Sequence, residues 1–306
     1  MNQVTHIYIL QKCTIIVKSY MQIPNKIIDI DKAFADKNPQ LFKMLPKFIL
    51  NWIKKIIHQD DINQHLAENI NLDGMQYSAA AVERLGAKRF SNGIENIPKT
   101  GGIIIASNHP LGGVDGMALI AEVAKVRQDI KFIVNDLLMQ FPQFEEVFIP
   151  VNKLGTNTKT NLDRIEKYYA EGKCMIIFPA GLCSRMQGGK IMDLKWHKSF
   201  LSRAIKYNLP IIPTFIDAKN SNSFYNLANI RKALGIKANI EMFFLPDEMF
   251  KQSGKTIEIT FGKPIEAKEI DKSYTLENWA QIIKLYIYTL KQKPLNDFSL
   301  YLKHSK

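Results

Sequence analysis

His109 and Asp115 stand on either side of a glycine pair in the run Ser107-Asn108-His109-Pro110-Leu111-Gly112-Gly113-Val114-Asp115-Gly116. The run follows Gly102–Ala106, an apolar stretch that reads as a buried strand. Loops at the carboxyl ends of strands in open α/β sheets are where ligands and catalytic groups gather. An imidazole held by a carboxylate can take a proton from a hydroxyl near neutral pH. Asp115, at the start of the next helix, would orient His109 and stabilise its protonated form. Gly112 and Gly113 allow a tight turn and bring backbone N–H groups close to a ligand. The plain alternative is a capping Asp115 and a structural His109.

A second strand end reads Ile176-Ile177-Phe178-Pro179-Ala180-Gly181-Leu182-Cys183-Ser184-Arg185. Arg185 offers a forked donor for a carboxylate or phosphate, and Ser184 adds a hydroxyl. Cys183 as a nucleophile would need activation, and no histidine is tied to it by local sequence. A third strand end, Phe148 to Val151, is followed by Asn152 and Lys153. A fourth runs Leu209 to Asp217 and leads into Asn220-Ser221-Asn222-Ser223-Phe224-Tyr225. Taken singly, the third and fourth are strands followed by turns.

The elements that would hold these groups alternate. Strands are predicted at Gly102–Ala106, Ile130–Val134, Val147–Val151, Cys174–Phe178, Pro210–Phe215 and Thr256–Phe261. Helices are predicted at Ser78–Leu85, Asp115–Val126, Asn161–Ala170, Trp196–Tyr207 and Leu276–Lys291. Such alternation indicates an α/β fold with a largely parallel sheet flanked by helices. Several strands are continuous apolar runs, as expected of strands covered on both faces. The division is placed near Asn71–Met75, with an N-terminal helical segment suited to membrane association over 1–75 and the α/β domain over 76–306.

The chain has 306 residues, of which 46% are hydrophobic, enough to bury a core. A formal net charge of +12 favours anionic partners. No nucleic-acid motif accompanies the charge, which leaves an anionic membrane surface or an acidic carrier protein. Cys13, Cys174 and Cys183 are too few and too irregular for a disulfide framework and point to a reducing compartment. The apolar run Ile7–Val17 is interrupted by Gln11 and Lys12 and is short of a membrane span. It carries no cleavage pattern, and Met21 is a second candidate start. Residues 41–58 read as one basic amphipathic helix. Leu41, Leu45, Phe48, Ile49, Trp52, Ile53 and Ile56 would share one face; Lys43, Lys47, Asn51, Lys54 and His58 the other. Such a helix suits an anionic membrane interface, and it equally suits packing on the chain's own core. Pro46 would mark a first turn or a kink.

The four strand ends, in this order, resemble the blocks of the glycerophospholipid acyltransferase superfamily. Its first block is matched by Asn108, His109 and Asp115; its third by Phe178, Pro179, Ala180 and Gly181. The fourth block is matched by Ile211-Ile212-Pro213, and Gly262-Lys263-Pro264-Ile265 resembles the closing strand. The resemblance implies that His109 is the general base on an acceptor hydroxyl, with Asp115 holding it. The hydroxyl would attack an acyl thioester directly, with no metal and no cofactor beyond acyl carrier protein or CoA as carrier of the acyl group. Backbone amides at Gly112, Gly113 and Gly181 would steady the oxyanion. Asn108, Asn152, Lys153, Ser184 and Arg185 would complete substrate binding.

The departures point to a subgroup. Five residues, Pro110 to Val114, separate His109 from Asp115, one more than is usual in the family. Ala180 replaces the usual glutamate, and Cys183 stands where an arginine would contact the phosphate of the acceptor. The wording resembles bacterial enzymes that O-acylate lyso-aminolipids such as N-(3-hydroxyacyl) ornithine or glycine. An acceptor with a free carboxylate would suit Arg185 or Lys153. The expectation is a peripheral O-acyltransferase on the cytoplasmic face of the membrane. The alternatives are a 1-acylglycerol-3-phosphate acyltransferase and an inactive lipid-binding homologue.

Overall fold

A computed structural model describes residues 27–37, 39–44, 46–151, 159–237, 239–291 and 297–304. The chain divides into two compact units, Met1–Ile70 and Asn71–Lys306.

Among its described residues the first unit is helical: α1 (Ile30–Lys37), α2 (Pro39–Met44), α3 (Lys47–Ile56) and α4 (Gln59–Glu68). The single helix expected over 41–58 is broken. Pro46 lacks an N–H and takes an extended conformation, so α3 starts after it. The expected faces are also redistributed. Leu50, Ile53 and Ile57 are buried, whereas Phe48 and Trp52 are exposed beside Met44. Side-chain amides tie the unit together. Asn63 bridges the Ile28 N–H and C=O at 2.9 and 2.7 Å, and Gln59 accepts from the Ile30 N–H at 2.9 Å.

The second unit opens with α5 (Gly74–Arg84). Asp73 accepts from the amides of Met75 and Gln76, and Gln76 accepts in return from the Asp73 N–H. This reciprocal cap satisfies donors that a helix start leaves orphaned. Next come β1 (Lys88–Asn92), β2 (Ile103–Ser107), α6 (Val114–Val123), β3 (Ile130–Asn135), β4 (Phe148–Val151) and α7 (Lys159–Ala170). They are followed by β5 (Cys174–Ile177), a hairpin of β6 (Arg185–Gln187) and β7 (Lys190–Met192), α8 (Ser199–Tyr207), and β8 (Ile211–Asp217). The rest is α9 (Asn222–Ala233), α10 (Leu245–Phe250), β9 (Thr256–Phe261), α11 (Leu276–Thr289) and α12 (Phe298–His304).

Seven strands form one sheet in the order β1-β9-β8-β2-β5-β3-β4. Every pair is parallel except β8 with β9. β2 is central and buried along its whole length, with Ile104 opposite Ile211 of β8 and Ile105 opposite Ile176 of β5. Strand alternation sends Ile104 and Ala106 to one face. There they join Ile177, Trp196, Phe200, Trp279, Ile283 and Tyr286 in a single cluster. The carboxyl ends of β2, β5 and β8 share one edge of the sheet, so the loops after them meet.

Candidate active site

The turn after β2 folds around a buried carboxylate. Asp115 lies in the first turn of α6 with no solvent exposure. Its Oδ2 accepts from His109 Nδ1 at 2.9 Å and from the Leu111 N–H at 2.7 Å. The Gly112 N–H reaches the same oxygen at 3.3 Å. Oδ1 accepts from the amides of Gly113 and Gly116, both at 3.0 Å. Hydrogen bonds to a charged group contribute about 1.5–3 kcal/mol each, which offsets the cost of burying the charge. Burial pushes the Asp115 carboxyl up, but the charge and hydrogen bond of His109 and the Leu111 and Gly112 amides outweigh it. The group sits below its ordinary value. Gly112 makes the turn possible. Its φ is +83°, and a Cβ there would lie 2.7 Å from Leu245 Cδ1. The extra residue between His109 and Asp115 is thus absorbed in the glycine turn, and the pair stays in contact.

With Nδ1 committed to Asp115, Nε2 is the imidazole nitrogen left for proton transfer. The ring is about one-sixth exposed, 16%, while Asp115 is at 0%, so a substrate can approach only the histidine. Phe178, following β5, stacks on the imidazole with centroids 4.1 Å apart and planes 18° apart. The stack sets the ring plane.

A second buried acid, Asp193, supports the turn from below. Its Oδ1 accepts from the His109 backbone N–H at 3.2 Å and from Ser184 Oγ at 2.6 Å. Its Oδ2 accepts from Trp196 Nε1 at 2.8 Å. Its own N–H donates to Tyr288 Oη at 2.8 Å, and Lys284 Nζ donates to its carbonyl at 2.6 Å. Burial holds the Asp193 carboxyl above its ordinary value, against the hydrogen bonds from Ser184, Trp196 and His109. Asn220, after β8, donates to the carbonyls of Pro110 and Leu111 at 3.4 Å each. Neither residue was singled out from the sequence as part of the site. Asn220 at least lies in the segment after β8. Asp193 lies in Met192-Asp193-Leu194, where no pattern marks it.

A family model described as acyltransferase matches residues 32–296. The chain belongs to the acyltransferase family. It is 44% identical over 265 residues to a lyso-glycine lipid O-acyltransferase of Bacteroides thetaiotaomicron, covering 86% of this chain and 97% of that protein. It is 42% identical, with 86% and 95% covered, to a lyso-glycine lipid O-acyltransferase of Phocaeicola vulgatus. Among solved structures, the 1-acyl-sn-glycerophosphate acyltransferase PlsC of Thermotoga maritima aligns with a TM-score of 0.45 at 16% identity. That alignment covers 80% of this chain and 90% of PlsC.

Within this acyltransferase the remaining expected site residues fare differently from the dyad. Asn108 is buried and spans to β8: its Nδ2 donates to the Ile216 carbonyl at 2.9 Å and its Oδ1 accepts from the Ile216 N–H at 2.7 Å. It fastens β2 to β8 rather than binding substrate. Ser184 is committed to Asp193, and its N–H donates to the His109 carbonyl at 2.7 Å. Arg185 is buried against Glu241 at 2.8 Å, and Glu241 also pairs with Arg231 at 2.8 Å. A guanidinium held this way is not offered to an acceptor carboxylate or phosphate, contrary to the expectation. The amides of Gly112 and Gly113 point at Asp115, and the Gly181 N–H donates to the Phe178 carbonyl at 2.9 Å. They are not available to an oxyanion. Burial pushes the Cys183 thiol up to about 11, against the pull of Arg185, which argues against a thiolate nucleophile. Asn152 and Lys153 lie outside the described residues.

Proposed function

We propose that the chain transfers a fatty acyl group from a thioester to the hydroxyl of an N-(3-hydroxyacyl) glycine lysolipid. The contact that carries the chemistry is His109 Nδ1 on buried Asp115 at 2.9 Å, with Nε2 left for the acceptor. The acceptor class is supported by the two relatives named for lyso-glycine lipid, each matched over nearly its whole length. Nε2 takes the hydroxyl proton as the oxygen attacks the thioester carbonyl, and Asp115 balances the imidazolium that forms. The C–S bond then breaks and the departing thiolate takes the proton from Nε2. No acyl-enzyme, metal or further cofactor enters this scheme. The donor is acyl carrier protein or CoA charged with the acyl group.

The reading includes peripheral attachment to the cytoplasmic face of the membrane. No described helix is long and apolar enough to cross one. On α3 and the end of α2, Met44, Phe48 and Trp52 are exposed at four-residue spacing, at 79%, 73% and 52%. Lys43, Lys47 and Lys55 are exposed among them. Aromatic groups with flanking lysines suit the headgroup region of an anionic bilayer.

The test is to incubate the protein with acyl thioesters on each carrier and N-(3-hydroxyacyl) glycine, and to look for the diacylated product by mass spectrometry. Transfer to that acceptor, lost in His109→Ala, is the expected result. Undiminished turnover by His109→Ala would remove the mechanism. Preference for a lysophosphatidic acceptor would remove the substrate assignment.

A further inference from the structure

The segment from α9 to α10 carries a surface that the dyad does not explain. Ile230, Leu234, Ile236, Ile240 and Phe243 are exposed at 57%, 69%, 39%, 42% and 37%. Large apolar side chains exposed this close together along the chain mark an interaction surface. It is produced by the fold of the segment rather than by fraying. The inner face of α9 buries Phe224, Tyr225 and Ala228. Arg231 donates to the Ile236 carbonyl at 2.7 Å and pairs with buried Glu241, pinning the turn beyond the helix. Ile230 and Leu234, four apart, then share an outer face. Ile240 and Phe243, three apart in the 3-10 turn Ile240–Phe244, align while Glu241 points inward.

Charge selects the partner. Between Asp217 and Glu241 the sequence has no acidic residue, and Glu241 itself has no exposure. Lys232 and Lys237 are exposed among the apolar groups. An apolar patch edged by lysines and free of carboxylates matches an anionic lipid surface. Its position matters for catalysis. The helix that follows, α10, packs on the catalytic turn: a Cβ at Gly112 would meet Leu245, and one at Gly113 would lie 3.1 Å from Met249 Sδ.

We propose that Ile230, Leu234, Ile236, Ile240 and Phe243, with Lys232 and Lys237, seat the catalytic unit on an anionic lipid bilayer, separately from the stripe on α3. The seating brings the unit that carries the His109 turn to the membrane that holds the acceptor. That consequence rests on the acyl-transfer reading; the seating does not.

The test uses the full chain and co-sedimentation with phosphatidylcholine vesicles, with and without phosphatidylglycerol. Ile230→Ser/Leu234→Ser/Phe243→Ser should weaken binding about tenfold or more, because affinity follows the apolar area inserted. Lys232→Gln and Lys237→Gln should each cost roughly fivefold on anionic vesicles and nothing on neutral ones. Both lysines are exposed, and they decide the matter should the triple variant melt early. Wild-type binding by both sets of variants overturns the proposal. So does a wild-type dimer in sedimentation velocity that the triple variant dissolves without a change in vesicle binding. A chain that binds vesicles through this segment yet transfers no acyl group leaves the seating standing and removes the acyl-transfer reading.

Discussion

The turn after β2 and the loop after β5 begin alike and end differently. Each follows a buried apolar strand, each contains glycine at positive φ, and each carries polar groups able to touch a substrate. In the first, four backbone amides and one imidazole nitrogen converge on Asp115, and the other imidazole nitrogen takes no part in that contact. In the second, Ser184 turns to Asp193 and Arg185 to Glu241, and Cys183 is buried. The β5 loop supports the β2 turn: Phe178 stacks on His109, and the Ser184 N–H holds its carbonyl. Polar residues on a strand-end loop therefore do not identify a binding group. What decides is whether their hydrogen-bonding capacity is already used inside the fold.

The largest effect that separates the two regions should come from His109→Ala. Steady-state assays should show kcat/KM reduced by about 10²–10⁴, the usual reach of a general base, in a protein that stays folded but melts lower because buried Asp115 loses one of its partners. A similar loss from Arg185→Met without unfolding would erase the distinction.

Next is Asp115→Asn, which should lose activity and stability together, since an amide cannot accept all five donors. The sign with pH follows from the lowered carboxyl. Its stabilisation is fully present above the ordinary value of 3.8 and is lost as pH falls through the lower folded-state value. The stability gap between Asp115→Asn and the wild type, measured by denaturant titration, should stay constant from neutral pH to about 4 and close only below that. A gap that closes near neutral pH would show that the carboxylate is not held as described.

Arg185→Met should act on folding. Breaking a buried ion pair costs about 3–5 kcal/mol, reduced here because Arg231 still faces Glu241. The acceptor KM should stay within about twofold, as for a group that makes no contact with substrate. A raised KM with an unchanged melting curve would make Arg185 a binding residue after all. The smallest effect is expected of Cys183→Ala, with turnover within about twofold and a stability loss of about 1 kcal/mol from the vacated volume. Inactivation of the native protein by a thiol-alkylating reagent at neutral pH would contradict the buried, protonated thiol.

Much of the fold is legible in the chain. Cys174–Ile177 is an apolar run and Thr256–Phe261 alternates polar with apolar residues, and the structure places both within a residue of expectation. β1 was missed because Lys88-Arg89-Phe90-Ser91-Asn92 is an edge strand, where polar and charged residues discourage further pairing. The β6–β7 hairpin was missed because its strands are three residues each and turn through Gly188-Gly189. The helix expected over 41–58 does not form as one piece: Pro46, expected at a first turn or a kink, stands at the start of α3, a break that apolar periodicity alone does not register.

The sequence by itself determined the α/β alternation, the placing of His109 and Asp115 on either side of a glycine pair at a strand end, and a positive charge suited to anionic partners. Those depend on residue type and short-range spacing, which one chain displays in full. Only the tertiary structure decided which polar groups are committed. Asp193 reaches His109 across 84 positions, and Glu241 takes Arg185 across 56. Nothing local marks a partner so distant, because burial and hydrogen-bond satisfaction are settled by the packing of the whole unit.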